Sequence, residues 1–221
     1  MPLRGQDTGQ AAPLYVAMVV GLIALALAFF AVGQAGASRN DTQSGADAAA
    51  LAAAQEAREL FRDELVNGIA DPDFLRKIFD GELFGSTAGG CAAAASFAQK
   101  NGTALDGCDP LGGDRWGYTV YVIAQEPLGD NILPGTEGWS AKATATAVVL
   151  PRCTFEAPDE EPPPEGSEGE EVEPNPSTSP PDEPILTGTL DCDGEDFELD
   201  PESLDSLPDM SELFTVRLAE D

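Results

Sequence analysis

The residues able to do chemistry in this 221-residue chain are four cysteines and an excess of carboxylates; histidine is absent. Cys91, Cys108, Cys153 and Cys192 are even in number and lie well apart. On an exported domain that pattern favours disulfides. Zinc is the rival, but no C-x-x-C spacing occurs and the histidines that complete such sites are lacking. Three pairings are open to four cysteines. Cys91–Cys108 and Cys153–Cys192 close the smaller loops and are favoured on that ground.

Without histidine the chain lacks the usual general base near neutral pH and the commonest metal ligand. Ser-His-Asp and Cys-His catalysis in their ordinary forms are excluded. The acids Asp191, Asp193, Glu195, Asp196 and Glu198 gather around Gly194 and invite a calcium hypothesis. In an EF-hand, oxygen ligands occupy positions 1, 3 and 5 before a glycine at 6; here Gly194 follows the second aspartate directly. An acidic hairpin turn is the better reading. No aromatic platform marks any pair of carboxylates for glycosidase chemistry. Gly85–Gly90 has neither the lysine nor the strand of a phosphate loop. These residues predict no enzyme, no metal and no cofactor.

Charge carries more information. The formal net charge is −29. Arg4 and Asp7 cancel ahead of an apolar run, which leaves 10 basic and 39 acidic residues beyond it. Such a surface repels phosphate backbones, so nucleic acid is not an expected partner.

The apolar run, Leu14 to Gly33, holds twenty residues without a charge. As a helix it would cross the roughly 30 Å hydrocarbon core of a bilayer. Pro13 suits a first helical turn, and Tyr15 an interface. Ala35-Gly36-Ala37 offers a signal-peptidase-like site, but the run is long for a signal and its flank carries only Arg4 against Asp7. Lipid is therefore an expected partner. Flanking charge is nearly balanced between Arg4 and Arg39, so the positive-inside rule alone does not orient the span. The cysteines place the bulk of the chain outside the cytoplasm.

Arg39 to Asn67 contains no proline and is dense in alanine, the best helix former. Ala50, Ala53, Ala54, Ala57, Leu60, Phe61 and Leu65 recur at helical spacing, with Gln55, Glu56, Arg58, Glu59, Arg62 and Asp63 opposite. Asn67-Gly68 reads as the stop, with Gly68 in a left-handed terminal position. The alanine face packs on its own domain or admits a second helix closely. Ala46, Ala50, Leu51, Ala53, Ala54 and Ala57 are the candidates for such an interface.

Asp71-Pro72 signals a short helix over Asp73–Phe79. Gly85 to Gly113 reads as loop, with a short helix at Ala92–Gln99. Trp116–Gln125 and Ser140–Leu150 read as strands joined by a long loop. Glu156 to Pro184 holds eleven acids, nine prolines and no basic residue, the composition of a disordered spacer. Ile185–Leu190 and Phe197–Leu199 suggest a hairpin around Asp193-Gly194, and Leu213–Leu218 a last strand. With Cys153 bonded to Cys192 these strands would join the first sheet, and the spacer would be an insertion.

Three features of the N-terminal region also carry a resemblance: Asp7-x-Gly9-Gln10 before the apolar run, Arg39 followed by Gln43, and the run Ala46-Asp47-Ala48-Ala49-Ala50-Leu51-Ala52-Ala53-Ala54. Over about residues 4–58 the chain resembles TadE/TadG-like proteins of the Tad (Flp) pilus assembly system, particularly actinobacterial versions. The resemblance implies a pilin-like long N-terminal helix, half in the bilayer, then a small exported β-containing domain. With the strands and acidic spacer read above, the expected fold is α+β, a small antiparallel β domain with a disordered acidic insertion. It implies a non-enzymatic role in pilus biogenesis, with other pilus-assembly or pilin-like membrane proteins as partners through the helix. It also favours a cytoplasmic N-terminus. Pilin precursors in such systems are cut after a glycine with glutamate as the fifth mature residue. Here Gln10 follows Gly5 at that spacing and Leu14 follows Gly9, so the likeness favours a permanently anchored form over a polymerising pilin.

The expected organisation is a cytoplasmic tail at 1–13, a transmembrane helix at 14–33 and its exported extension at 34–67. An α+β domain at 68–155, the acidic linker at 156–184 and a C-terminal β segment at 185–221 complete it. Two other readings remain open at this point. One is an unrelated anchored surface protein whose acidic domain binds a cation or a wall component; the other is a secreted protein released at Ala37.

Overall fold

The computed structural model describes residues 11–82, 89–113, 115–127, 140–158 and 186–219. The tail, the loop after Pro127 and nearly all of the acidic stretch lie outside the described residues.

A single helix, α1 (Ala11–Leu60), dominates the chain. At 1.5 Å per residue its 50 residues extend about 75 Å. The short helix α2 (Arg62–Gly68) continues it through Phe61, which keeps helical dihedrals of −71° and −14°. The Phe61 N–H donates to the Ala57 carbonyl at 3.1 Å, and the Leu65 N–H to the Phe61 carbonyl at 3.0 Å. The rod therefore ends close to the expected stop. Gly68 does not take the left-handed conformation expected of it; it belongs to α2 and lies directly under the Phe74 ring, where a methyl group would collide.

Helix α3 (Pro72–Phe79) starts where Asp71-Pro72 predicted. The Asp71 carboxylate accepts from the Asp73 and Phe74 N–H groups, satisfying two of the free donors of a helix start. The span read as loop contains two elements. One is α4 (Gly90–Lys100), containing the expected short helix; the other is a strand, β1 (Thr103–Pro110), which was not expected. Strands β2 (Trp116–Ala124), β3 (Lys142–Pro151), β4 (Cys153–Glu156), β5 (Gly188–Cys192), β6 (Glu195–Leu199) and β7 (Phe214–Leu218) follow. A one-turn helix, α5 (Met210–Leu213), precedes β7.

β1-β2-β3-β7 form one antiparallel sheet, and β4-β5-β6 a second. Here the expectation needs correcting. Only β7 joins the first sheet; the hairpin β5–β6 pairs with β4 instead. The chain changes sheets at Arg152, between β3 and β4, where the Arg152 N–H donates to the Leu213 carbonyl at 2.9 Å. The hairpin turn itself is as predicted: Asp193 and Gly194 both have positive φ, 56° and 91°, which a two-residue turn matching strand twist requires.

In the first sheet Trp116, Tyr118, Val120 and Val122 alternate inward, with Ala145, Ala147 and Val149 beside them. The domain half of α1 lies across this face, with α4 alongside it. Phe61, Trp116, Phe214 and Phe79 make one aromatic cluster at the far end of the rod, with ring centroids 5.1–5.9 Å apart. Such pairs add about 0.5–1.5 kcal/mol each beyond burial.

Candidate membrane-anchoring and assembly helix

The first half of α1 is unlike anything else among the described residues. Leu14, Tyr15, Met18, Leu22, Ile23, Leu25, Phe29, Phe30 and Val32 are all exposed, Phe29 by 77%. None of the most apolar window of this helix is buried. Water would penalise so much apolar surface by about 25 cal/mol per Å², whereas lipid would not. The helix is long and apolar enough to cross a bilayer, and the domain leaves it uncovered on every side.

The second half has the opposite character. Thr42 is the first side chain sealed inside the domain, its hydroxyl donating to the Ser38 carbonyl at 2.6 Å. Beyond it Ala46, Ala49, Ala50, Ala53, Ala54 and Ala57 are wholly buried, and Leu51 is half-buried. Of the six interface candidates, five therefore line the core, with Leu51 packed against it. Their neighbour is another helix of the same chain. On α4, Gly90, Ala94 and Ala98 are buried at successive four-residue steps. Alanine on one side and glycine or alanine on the other bring the two helices close. A methyl group on Gly90 would lie 2.7 Å from the Ala53 carbonyl oxygen.

Tyr118 closes the same contact from the sheet. Burial pushes its phenol above the ordinary value of 10.0, and a hydrogen bond with the Gly90 backbone works in the opposite direction.

The cysteines sit at the points that hold this arrangement. Cys91, near the start of α4, is bonded to Cys108 of β1. The register of β1 shifts between Leu105 and Gly107, so Leu105 opposes Val122 and Cys108 opposes Val120. Three positions apart, they would face opposite sides of a regular strand; the extra residue Asp106 turns both inward. Cys153 is bonded to Cys192, its register partner across β4 and β5. On loop length alone the two bonds contribute about 3 and 4 kcal/mol.

The carboxylates around Gly194 act as turn residues. Asp191 accepts the Gly194 N–H at 2.9 Å, and Asp193 pairs with Arg152. Among the described residues no group of three or more metal-ligating side chains comes together.

Sequence reasoning did not find a cleft of about 580 Å³ where α1 enters the domain. One wall is α1 from Gln34 to Ser44; the other is the turn at Asn101–Thr103 with the end of β2 at Ala124–Pro127. Asp41 and Glu126 are 85 positions apart in sequence, and no local signal joins them.

Comparison with known proteins bears on this helix alone. Residues 9–56 match the family model described as putative Flp pilus-assembly TadE/G-like. Over that span the chain is similar to TadE/TadG-like proteins. The matched TadE/G-like region covers the apolar half of α1 and continues through Ala54 in the buried half, so the likeness belongs to the rod and not to the sheets. It associates the chain with pilus assembly, and the single N-terminal apolar helix fits a membrane anchor. No curated protein and no solved structure matches the chain.

Proposed function

We propose that this protein is a membrane-anchored, non-enzymatic component of Tad-type (Flp) pilus biogenesis, acting as a minor-pilin-like subunit or an assembly partner. One observation carries the reading. The TadE/G-like match falls on a helix whose first half is uncovered and apolar and whose second half is locked into a small domain. The N-terminus lies in the cytoplasm and the disulfide-bonded domain outside. Pilus partners meet the chain through the rod.

While the domain is closed, Ala46, Ala50, Ala53, Ala54 and Ala57 are occupied by α4 and the sheet. Side-by-side contact with another pilin-like helix therefore uses the uncovered part of α1, below Thr42. Small residues there, Gly21, Gly33 and Gly36, have open space around them.

Deletion of the gene in its host, with complementation by the full chain or by a chain lacking residues 14–33, tests the function. Loss of surface pili that only the anchored chain restores is the expected result. Normal piliation in the deletion strain would sink the proposal. Protease added to intact spheroplasts should digest the disulfide-bonded domain; its complete protection would reverse the orientation.

A further inference from the structure

The cleft at the foot of the domain has a chemical bias that fold alone does not require. Its wall from α1 begins at Gln34, one residue past the uncharged run that ends at Gly33. At 1.5 Å per residue, Gln34 to Asp41 rise from about 1.5 to about 12 Å above Gly33. The headgroup layer is roughly 5–7 Å deep on each side of the hydrocarbon. The lower lip thus stands within that layer and Asp41 just above it.

Donors on the walls are mostly committed to the protein itself. Thr42 donates to the Ser38 carbonyl, Ser44 to the Asn40 carbonyl and Thr103 to the Ala98 carbonyl. The side-chain amides of Asn101 and Gln125 donate to the carbonyls of Phe97 and Thr103. The Gln34 amide, the Ser38 hydroxyl and the second N–H of Asn101 and of Gln125 remain beside the three amide oxygens. The charged groups on the described lining are both carboxylates, the exposed Asp41 and Glu126, which have no ion-pair partner among the described residues. No lysine or arginine lines the cleft among the described residues.

We propose that this cleft binds the ammonium headgroup of an aminophospholipid in the outer leaflet of the membrane that holds α1. The proposal rests on the anchoring reading above. A cleft whose charged groups are both carboxylates, with amide oxygens beside them, calls for a cation that donates hydrogen bonds, and a primary ammonium supplies three N–H donors. The bilayer presents that group at the height of the cleft. Occupancy would brace the domain against the membrane and fix the direction in which it faces its partners.

The experiment uses the full chain reconstituted in vesicles of phosphatidylethanolamine with phosphatidylglycerol. A parallel set replaces phosphatidylethanolamine by phosphatidylcholine, which keeps the positive charge and removes every N–H. Amide hydrogen exchange is read at 34–44, 101–103 and 124–127. Exchange should be roughly tenfold slower with the primary ammonium, and the difference should vanish in the Asp41→Asn/Glu126→Gln double variant. Both positions are exposed, so the variant should keep the wild-type exchange pattern in the sheet. Equal exchange in the two lipids, or protection that survives the double substitution, overturns the proposal. So does carbodiimide coupling of Asp41 or Glu126 to an amine of a second copy in place of the lipid. A chain that fails to float with either vesicle defeats the anchoring reading itself, which separates the two failures.

Discussion

The two halves of α1 share one secondary structure and no common environment. Residues 14–33 are apolar and mostly large and remain uncovered; residues 46–57 are chiefly alanine, and most of those alanines are buried in the domain. Both are good helix sequences, so propensity does not tell them apart. Side-chain size does. A bulky apolar surface all round the helix suits lipid, which fills in around any shape. A broad alanine face, with Gln55 and Glu56 left to solvent, suits protein on several sides, because it lets α4 and a sheet approach the same turn of helix.

That contrast is most severely tested by the same substitution in each half. Ala53→Glu puts a carboxylate at a wholly buried position between α1 and α4. An unpaired buried charge of this kind costs about 5 kcal/mol, comparable to a domain's entire stability. The domain should lose its cooperative thermal transition in detergent. Ala26→Glu should cost about 3 kcal/mol of membrane insertion and leave that transition in place. Equal domain melting in the two variants would erase the distinction between the halves.

The second largest effect concerns what keeps the domain half closed. Replacing Cys153 and Cys192 by serine releases a link between residues 39 apart and should cost about 4 kcal/mol. The Cys91/Cys108 pair, 17 apart, should cost about 3 kcal/mol and loosen α4 first. Urea unfolding of the two double variants orders them. If removal of the Cys91–Cys108 bond were the more damaging, the grip of α4 on α1 would depend on it more than loop length implies.

Much of this was legible in the chain, for local reasons. The charge-free length of 14–33 and the apolar period to Leu65 write α1 and its continuation α2 directly. Asp71-Pro72 is a capping signal, and Asp193-Gly194 can hardly be other than a tight turn. What escaped notice was non-local or irregular. β1 is diluted by Gly107, Asp109 and Pro110 and broken by its bulge at Asp106, so neither alternation nor β-branched residues announce it. The second sheet depends on a change of direction at Arg152, with strands on either side that read alike. The alanine face did carry a helix-packing signal. The short helix at Ala92–Gln99 was legible too, but nothing local says that its Ala94 and Ala98, with Gly90 just before it, face α1.

Gly90 offers a milder probe of the same contact. An added methyl would meet the Tyr118 ring and the Ala53 carbonyl oxygen, the latter backbone and unable to swing away. Gly90→Ala should cost about 2 kcal/mol by overpacking, against a gain of under 1 kcal/mol in helix propensity. Ala94→Gly, on the same face, removes a methyl without a clash and should cost about 1 kcal/mol. If Gly90→Ala raised the midpoint, the close approach of the two helices would be wrong.

The smallest effect is read through pH. Tyr118 is wholly buried and its phenol is raised above 10.0 chiefly by that burial. In the unfolded chain the phenol ionises near its ordinary value, while in the folded chain it stays protonated to higher pH. The folded state then binds the extra proton, so stability from this group is complete below pH 10 and falls as pH rises toward the folded value. Tyr118→Phe removes that dependence together with the Gly90 hydrogen bond, worth about 1 kcal/mol. At neutral pH the variant should therefore be the weaker protein, and above pH 10 the gap should narrow. A gap that stayed constant across pH 9 to 11 in urea titrations would mean that the phenol reaches water. The helix pair would then be looser at this point than the alanine packing demands.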